Sequence, residues 1–269
     1  MPELPEVESI RIQLEPLIVG NTIKNGIFFP SPKFEQAVFA KNCLISSADR
    51  LGKYLIIRLL RNTKELDLII HLGMTGSLSV TKKFTSDPHV RAEWTLDNGQ
   101  VLRFRDVRRF GRIAVVTKGD YKTLPTLNHI GPEPFDSELT AKVFYNSLSA
   151  SRSPIKTKLL SQKIIAGLGN IYVDESLWRA KINPAVRRIG IERAEILLMH
   201  IRNVLREAID NGGTTFRDYR TPDGLTGRNQ FRLDCYGRYG SPCKFCSSIL
   251  SKRIIGQRST TWCPSCQRL

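Results

Sequence analysis

The sequence predicts an α+β protein in which one leading helix and a β-rich part precede a helical part and a short cysteine-containing module. Three observations support this prediction. From Thr22 to about Thr117, short apolar or alternating runs are separated by turn residues, as in antiparallel strands. From Ser137 onward, apolar residues recur every three or four positions, which indicates helices. Two C-x-x-C motifs then lie close to the carboxyl end.

The first twenty residues predict the leading helix. Val7, Ile10 and Leu14 recur at helical spacing and would form one apolar face. Proline is favoured in the first turn of a helix and glycine directly after the last turn. We therefore expect the helix to begin near Pro5 and to end before Gly20.

The β-rich part contains runs such as YLIIRLL, LDLIIHLG and AEWTLDNGQVLRFRDV. Their alternation and the turn residues between them predict a mostly antiparallel β domain, either a sandwich or a flattened barrel. Residues 130–135 contain two prolines and a glycine, which is typical of a linker.

The second half is predicted to be mainly helical. Four segments carry apolar residues at helical spacing, and short turns join them, which indicates a compact bundle. A loop at 212–242 would lead into the last module. The predicted helices are residues 137–150, 155–164, 171–180 and 190–211, and the predicted domains are residues 1–130, 131–220 and 221–269.

The composition limits the classes of function. The 269 residues are 41% hydrophobic and carry a formal net charge of +16. Lys and Arg exceed Asp and Glu by 4 in residues 1–150 and by 12 in residues 151–269. Such a field attracts a polyanion, usually nucleic acid, although a charge that only keeps the protein soluble is the alternative. There is no 18-residue apolar run and no signal peptide, so we expect a cytoplasmic protein without a membrane partner.

The clustered cysteines predict one structural zinc ion. Their spacing is C-x2-C-x16-C-x2-C, and two residues between thiolates let both sulfurs of a turn reach one tetrahedral Zn²⁺. Four thiolates close the coordination sphere, so the ion would stabilise structure without catalysing a reaction. A redox pair is the alternative, but one C-x-x-C motif would suffice for it. The predicted ligands are Cys243, Cys246, Cys263 and Cys266.

Two segments of the second half could bind phosphate. Arg258 lies between the cysteine pairs on a hairpin that the metal would make rigid, and phosphate binding is the better interpretation of this charge in so basic a chain. Gly167 and Gly169 precede Asn170, which could cap a helix whose free N–H groups bind an anion. Lys156 could add a positive charge to the same phosphate. A solvated arginine and an ordinary helix-turn-helix are the alternatives.

The chain begins MPELPEVE, which places acidic side chains beside a proline. If Met1 is removed, the new terminus is the secondary amine of Pro2, a potential nucleophile with a reference pKa of about 8. If Met1 is retained, the same nitrogen is an unreactive amide. With Glu3, Glu6 and Glu8 close by, the opening is either an active site or only the start of a helix.

Several motifs, in the same order, resemble the formamidopyrimidine-DNA glycosylase family. They are MPELPEVE, GKYL (52–55), HLGMTG (71–76), RRFGR (108–112), GPEP (131–134), AGLGNIYVDESLWRA (166–180) and the cysteine pattern. The resemblance covers essentially the whole chain. It implies a β-sandwich with a leading helix, a helix-two-turn-helix domain and a zinc-finger hairpin. It also implies a monomeric, nucleoid-associated bacterial enzyme that excises oxidised purines from duplex DNA and cleaves the abasic site by β,δ-elimination.

The resemblance implies roles for single residues. Pro2, freed of the initiator Met, would attack C1′ of the damaged nucleotide and form a Schiff base, and Glu3 would protonate the sugar ring oxygen. Glu6 and Glu175 would lie at the lesion pocket, with helix capping or a buried ion pair as the alternative for each. The implied phosphate contacts are the catalytic Lys53 and Arg258 together with His71, Lys156 and Asn170. Met74, Arg108 and Phe110 would fill the space that the extruded base leaves in the duplex, and Arg109 would also bind DNA.

The chain departs from the family pattern at three loop positions. Val107 stands where family members often have the proline of an Asp-Pro pair, and Ser247 and Gln257 stand where glycine is common. None of these changes removes a reacting group. The segment 217–231 resembles the loop that closes over the extruded base. The alternatives to the implied activity are the sister class that acts on oxidised pyrimidines and, if Met1 persists, a non-catalytic zinc protein that binds DNA.

Overall fold

The computed structural model describes residues 2–82, 86–216, 219 and 222–269. The chain forms two compact units, each built from two stretches of sequence. The first unit comprises Met1–Asn128 and Asn211–Gln230, and the second comprises His129–Asp210 and Phe231–Leu269. The division into three domains at residues 130 and 220 stays a prediction.

The leading helix α1 comprises Leu4–Ile18. Val7, Ile10 and Leu14 are fully buried, which confirms the predicted apolar face. Gly20, with φ of 85°, turns the chain after the helix. Since each fully buried aliphatic side chain contributes about 1.5–3 kcal/mol, this face fixes α1 in the core of the first unit.

Eight strands form two antiparallel four-stranded sheets in the first unit. Inward side chains of both sheets, such as Ile57 and Phe104, belong to one buried cluster, so the domain is the predicted sandwich. The strands are β1 (Ile23–Phe28), β2 (Leu44–Leu51), β3 (Tyr54–Arg61), β4 (Lys64–His71), β5 (Gly76–Thr81), β6 (Val90–Leu96), β7 (Val101–Asp106) and β8 (Arg112–Thr117), with a 3-10 helix at Glu35–Ala40. The sheet orders are β1-β6-β7-β5 and β2-β3-β4-β8.

The remaining helices confirm the predicted helical second half, although the helix predicted at 137–150 begins only at Ala141 and another helix ends early. The helix predicted at 155–164 stops at Leu160, because Gln162 adopts a left-handed backbone with φ of 62°. The Gln162 side chain instead accepts the N–H of Gly167 at 2.9 Å and donates to the carbonyl of Leu168 at 2.6 Å. The helices are α2 (Pro125–Asn128) in the first unit, α3 (Ala141–Ser149), α4 (Ile155–Leu160), α5 (Asn170–Arg179) and α6 (Ile191–Asp210) in the second, and a 3-10 turn at Asn229–Arg232.

None of the helices in the described part of the chain is long and apolar enough to cross a membrane.

A two-stranded hairpin of β9 (Ser251–Ile255) and β10 (Arg258–Trp262) lies between the cysteine pairs. Gly256 and Gln257 form its loop with φ of 55° and 61°, as in a type I′ turn. Ser247, directly after the first cysteine pair, has φ of 62°. Both positions at which glycine is common in the family are therefore left-handed here, and Ser247 and Gln257 adopt that backbone under strain.

Replacing Gln257 by glycine should stabilise the zinc-bound protein. A left-handed backbone costs a residue with a Cβ about 1–2 kcal/mol, and glycine would remove this cost. The greater conformational freedom of glycine in the unfolded chain offsets about 0.4–1 kcal/mol of the resulting gain in stability. We expect the free energy of unfolding to rise by about 0.5–1 kcal/mol, seen as a higher thermal midpoint. The control Lys252→Gly, at an exposed position inside β9, should lower the midpoint. Equal shifts for the two variants would contradict the prediction.

Candidate active site and nucleic-acid interface

The amino end of the first unit is held by a reciprocal cap on α1. Glu3 precedes the helix, and its N–H donates to Oε2 of Glu6 at 2.7 Å. The Glu3 carboxylate caps the N–H of Glu6 in return, which satisfies N–H groups that have no partner within the helix. Pro2, Glu3 and Glu6 are all buried. Pro2 is therefore placed beside two carboxyl groups whose own positions are fixed by hydrogen bonds.

The other oxygen of Glu6 binds a segment 208 residues further along the chain. Oε1 accepts the N–H of Thr214 at 2.7 Å. A Cβ on Gly213 would lie 3.0 Å from Cγ of Glu6, so the backbone approaches closely. The hydroxyl of Tyr219 donates to the carbonyls of Glu6 and Gly212 at 3.3 and 3.1 Å. These bonds support the structural alternative for Glu6, and its contact with a lesion stays a prediction.

Two exposed turns at one edge of the sandwich carry the residues expected to fill the space of an extruded base. Met74 is 39% exposed and Phe110 is 49% exposed. The turns meet through their backbones, because a Cβ on Gly73 would lie 2.5 Å from the nitrogen of Gly111. Gly73 also has φ of 64°, which favours glycine. The two turns therefore pack as one edge and hold Met74 and Phe110 out of the core.

The buried carboxylate of Asp106 closes the RRFGR turn. It accepts the hydroxyl of Thr75 at 2.5 Å, the N–H of Gly111 at 2.7 Å and the N–H of Arg108 at 3.2 Å. Sequence reasoning missed this residue, although an aspartate at a strand end before a glycine-containing turn often bonds to nearby backbone. With Asp106 in place, the turn closes although Val107 replaces the proline common in the family.

The paired arginines have different partners. The guanidinium of Arg108 lies 4.6 Å from the ring centre of Phe110, and that of Arg109 lies 4.7 Å from the ring centre of Phe29. Both contacts are cation–π interactions. Arg109 has φ of 56°, and its carbonyl accepts Nζ of Lys33 at 2.8 Å. Arg108 thus accompanies the exposed aromatic ring, whereas Arg109 is held against the sandwich.

Lys53 and His71 lie at the same edge of the sandwich, on neighbouring strand ends. Lys53 is mostly buried in the β2–β3 turn, and the rings of Tyr54 and His71 are 4.9 Å apart. Burial, reinforced by the charge of Lys53, lowers the pKa of His71 to about 4. Nδ1 of His71 accepts the N–H of Gly73 at 3.2 Å, which leaves the hydrogen of the neutral ring on Nε2. His71 is therefore a neutral hydrogen-bond donor.

The four predicted zinc ligands lie together in the second unit. Their sulfur atoms are all within 4.8 Å of one another, and Sγ of Cys246 and Cys263 are 3.4 Å apart. Tetrahedral Zn–S bonds of about 2.3 Å place sulfurs about 3.8 Å apart, so Cys243, Cys246, Cys263 and Cys266 fit one zinc ion. Nε1 of Trp178 donates to Sγ of Cys243 at 3.4 Å, a second contact that orients this ligand.

The structure corrects the expected role of Lys156. Its side chain is fully buried, and Nζ lies 2.6 Å from Oδ1 of Asp174 and 3.0 Å from the carbonyl of Ser259. Oδ2 of Asp174 accepts the N–H of Thr261 at 3.0 Å. Burial raises the pKa of Asp174 to about 7 against the opposing charge of Lys156. Lys156 therefore fastens β10 to the helices and does not lie on the surface where a phosphate could reach it.

Asn170 and Arg258 both lie where α5 meets β10. The residue that caps α5 is Gly169, and Asn170 is the first residue of the helix, so the expected capping role of Asn170 is wrong. Nδ2 of Asn170 donates to the carbonyl of Ser259 at 2.9 Å. Arg258, the preceding residue in β10, is exposed. Asn170 thus helps to position the strand that presents Arg258.

Glu175 supports the zinc module from within. Its Oε1 accepts the N–H groups of Cys235 and Tyr236 at 2.8 and 2.7 Å, and its Oε2 accepts the N–H of Asp234 at 3.0 Å. Burial is the main cause that raises the pKa of this carboxyl. Both oxygens bind the backbone before the first cysteine pair, which supports the structural alternative for Glu175, and its role at the lesion pocket stays a prediction.

The fold and these sites define a class of protein: a DNA-binding enzyme with an amino-terminal sandwich, a helical module and a four-cysteine zinc finger. Family models match three parts of the chain: the formamidopyrimidine-DNA glycosylase N-terminal domain at residues 1–113, the formamidopyrimidine-DNA glycosylase H2TH domain at 130–220, and the zinc finger found in FPG and IleRS at 240–269. The chain belongs to the formamidopyrimidine-DNA glycosylase family.

Relatives match over almost the full length. The formamidopyrimidine-DNA glycosylases of Deinococcus radiodurans and Thermus thermophilus are each 40% identical, covering 100% and 99% of this chain and 98% of each relative. The crystal structure of MutM (Fpg) from Thermus thermophilus matches with a TM-score of 0.91 and 40% identity, covering 99% of this chain and 98% of that one. Lactococcus lactis Fpg in complex with abasic-site DNA matches with a TM-score of 0.88 and 33% identity, covering 99% and 100%.

Lys156→Met should destabilise the protein by about 3–5 kcal/mol, because it leaves the Asp174 carboxylate buried without its cation. Adding Asp174→Asn, which can still accept the N–H of Thr261, should restore much of the loss. The measurement is chemical unfolding of the zinc-bound protein. Lys118→Met, which breaks an exposed ion pair, is the control and should cost less than about 1 kcal/mol. If Lys156 instead contacted phosphate, stability would stay unchanged and only DNA binding would weaken.

His71→Gln should make the stability of the protein depend less on pH below about pH 6.5. The pKa of His71 falls from 6.5 to about 4 on folding, so the unfolded state binds a proton that the folded state excludes. The stability that the neutral ring contributes is therefore complete above about pH 6.5 and is lost as the pH falls to about 4. The free energy of unfolding decreases by up to about 3 kcal/mol over this range. Thermal midpoints of wild type and variant should therefore converge in acid. The exposed control His129→Gln should parallel the wild type. Parallel profiles for His71→Gln would refute the assignment.

Proposed function

We propose that the protein is a base-excision-repair enzyme that removes oxidised purines from duplex DNA and cleaves the resulting abasic site. The observation that carries this proposal is Pro2, buried beside the capped Glu3 and Glu6, in a chain of the formamidopyrimidine-DNA glycosylase family. Solved relatives hold DNA with an abasic site, with Fapy-dG or with carbocyclic 8-oxo-G, which supports the substrate class.

The first chemical step needs a free amine at the chain terminus. Removal of Met1, which lies outside the described residues, leaves the secondary amine of Pro2, and an α-amino group with a pKa of about 8 is partly neutral near neutral pH. Its lone pair attacks C1′, the N-glycosidic bond breaks, and the oxidised base leaves with a proton. Glu3 gives a proton to O4′ as the C1′–O4′ bond opens and the iminium ion forms.

The iminium ion then drives strand cleavage. It acidifies the C2′ hydrogen, and loss of that proton expels the 3′ phosphate. A second elimination expels the 5′ phosphate, and hydrolysis of the iminium ion returns the amine of Pro2. Through all these steps the hydrogen bonds of Glu6 to Glu3 and Thr214 hold the terminus in place.

Access to C1′ requires that the damaged nucleotide leave the base stack. Met74, Arg108 and Phe110 fill the vacated space. Two contacts support this assignment. The Gly73–Gly111 contact holds both turns outward, and the guanidinium of Arg108 lies over the exposed ring of Phe110. The closing loop at 217–231 stays a prediction, because residues 217, 218, 220 and 221 lie outside the described residues.

The remaining assignments concern the DNA backbone and the metal. Lys53, His71, Asn170 and Arg258 contact phosphates, and Arg109 lies on the same edge of the sandwich as Lys53 and His71. Zinc holds the hairpin that presents Arg258 and takes no part in the chemistry. We also propose a monomer of three domains at 1–130, 131–220 and 221–269, acting in the bacterial cytoplasm on the nucleoid, as the bacterial origin of the relatives suggests.

Borohydride trapping tests the amine directly. Wild-type protein whose mass shows the loss of one methionine should form a covalent adduct with a duplex that contains 8-oxoguanine opposite cytosine. Pro2→Gly should reduce trapping by at least about a hundredfold, since a primary glycine amine lacks the placement of the proline ring. Pro30→Gly, at an exposed proline of the same unit, is the control and should trap like wild type.

Three outcomes would overturn the proposal. Trapping or strand cleavage by protein that keeps Met1 would show that the amine of Pro2 is not the nucleophile. Faster excision of thymine glycol than of 8-oxoguanine opposite cytosine would place the enzyme in the oxidised-pyrimidine class. Duplex binding without any adduct would leave only a non-catalytic DNA-binding protein.

A further inference from the structure

Three side chains form a row across the second sheet of the sandwich. The register pairs Tyr54 of β3 with His71 of β4, and His71 with Arg112 of β8. Directly paired residues of antiparallel strands point to the same face. Since β3 begins at Tyr54, β4 ends at His71 and β8 begins at Arg112, the row lies at the sheet edge that also carries the exposed turns.

A recess of about 210 Å³ opens at this row. Besides the three side chains, Phe110 lines it from the exposed turn, and the stretch Leu124–Thr126 forms the opposite wall. Small-molecule sites usually measure about 300–1,000 Å³, so this recess suits a group smaller than a nucleoside. None of the described residues that line it is a carboxylate.

Among the arginines of the sandwich, Arg112 differs in having no side-chain partner in the part of the chain that the structure describes. Arg58, in the same sheet, forms ion pairs with Asp49 and Asp67. Within the described residues, the exposed guanidinium of Arg112 forms neither an ion pair nor a side-chain hydrogen bond. Arg112 is the last residue of the RRFGR motif, and the resemblance to the family implies no role for it. An unpaired guanidinium at the mouth of a recess without carboxylates is suited to an anion.

His71 adds a second donor on the same face. Its Nδ1 is occupied by the N–H of Gly73, so Nε2 carries the hydrogen. The tilted ring of Tyr54, 4.9 Å away, fixes the plane of the imidazole. A phosphate oxygen accepts hydrogen bonds both from a guanidinium and from a neutral imidazole N–H, and the recess offers both in neighbouring strands.

We propose that Arg112 and Nε2 of His71 form a binding site for one DNA backbone phosphate next to the step that Phe110 enters. The proposal rests on the proposed function and extends it by a contact residue, Arg112, on β8. The site couples the exposed ring to the backbone, because Phe110 lines the recess that the phosphate occupies. Binding there places the duplex against the edge that carries Met74 and Arg108.

The test is duplex affinity as a function of salt, with lesion-containing DNA and the zinc-bound protein. Arg112→Ala should weaken binding about tenfold near 0.1 M salt and reduce the slope of log affinity against log salt by about 0.9. Arg112→Lys should keep most of the slope, because the charge remains, while losing part of the affinity. The control Lys64→Ala removes one exposed charge at the opposite end of β4, about 23 Å away, and should leave the slope unchanged.

A scan with single methylphosphonate substitutions identifies the phosphate. One neutral linkage beside the lesion should weaken binding by wild type and have no further effect on Arg112→Ala. An unchanged slope in Arg112→Ala, or equal sensitivity of wild type and Arg112→Ala at every linkage, would overturn the proposal. Thermal midpoints confirm that the variants are folded. Borohydride trapping by wild type separates this failure from a failure of the proposed function, since trapping requires Pro2 and not Arg112.

Discussion

The position of the chain terminus depends on one carboxylate, that of Glu6. Its two oxygens accept one N–H from the residue before α1 and one from Thr214, which joins the start of the chain to a segment near its end. Removing this side chain would leave two buried N–H groups without partners, at about 1–3 kcal/mol each. Pro2, the proposed nucleophile, directly precedes the anchored Glu3, so its geometry depends on Glu6, a residue that need not touch the substrate.

Other buried carboxylates of the described residues also accept backbone N–H groups. Asp106 binds the turn that follows β7, Asp174 binds Thr261 of β10, and Glu175 binds the backbone at 234–236. In each case a buried carboxylate accepts N–H groups that no strand or helix partner satisfies. An unpaired donor in the interior is costly, and an ionised acceptor forms the stronger bond, so these acids specify loop geometry more than they add stability.

The sequence predicted what depends on local spacing. The apolar period of α1, the alternating strands and the C-x2-C pairs each express a contact between residues a few positions apart. Lys156 was misassigned because a charged residue has the same appearance in a sequence whether it faces solvent or an ion-pair partner. The carbonyl that binds Lys156 lies 103 residues away, and no periodicity reports such a distance. Asp106 could have been found from local spacing, since two of the N–H groups that it accepts, those of Arg108 and Gly111, follow it by only two and five positions.

The division between buried and exposed charge explains how a basic chain can bind DNA with few mobile parts. Three of the residues proposed to touch DNA, namely Phe110, Arg112 and Arg258, are exposed and lie on short turns or at strand ends. Their backbones are fixed by buried acids and by glycine contacts that leave no room for a Cβ. These turns lose their conformational entropy when the protein folds and not when DNA binds. Less of the free energy of phosphate binding is therefore offset by ordering of the turns on association. Substituting a buried acid should therefore weaken DNA binding through the turns, even though no buried acid reaches the duplex.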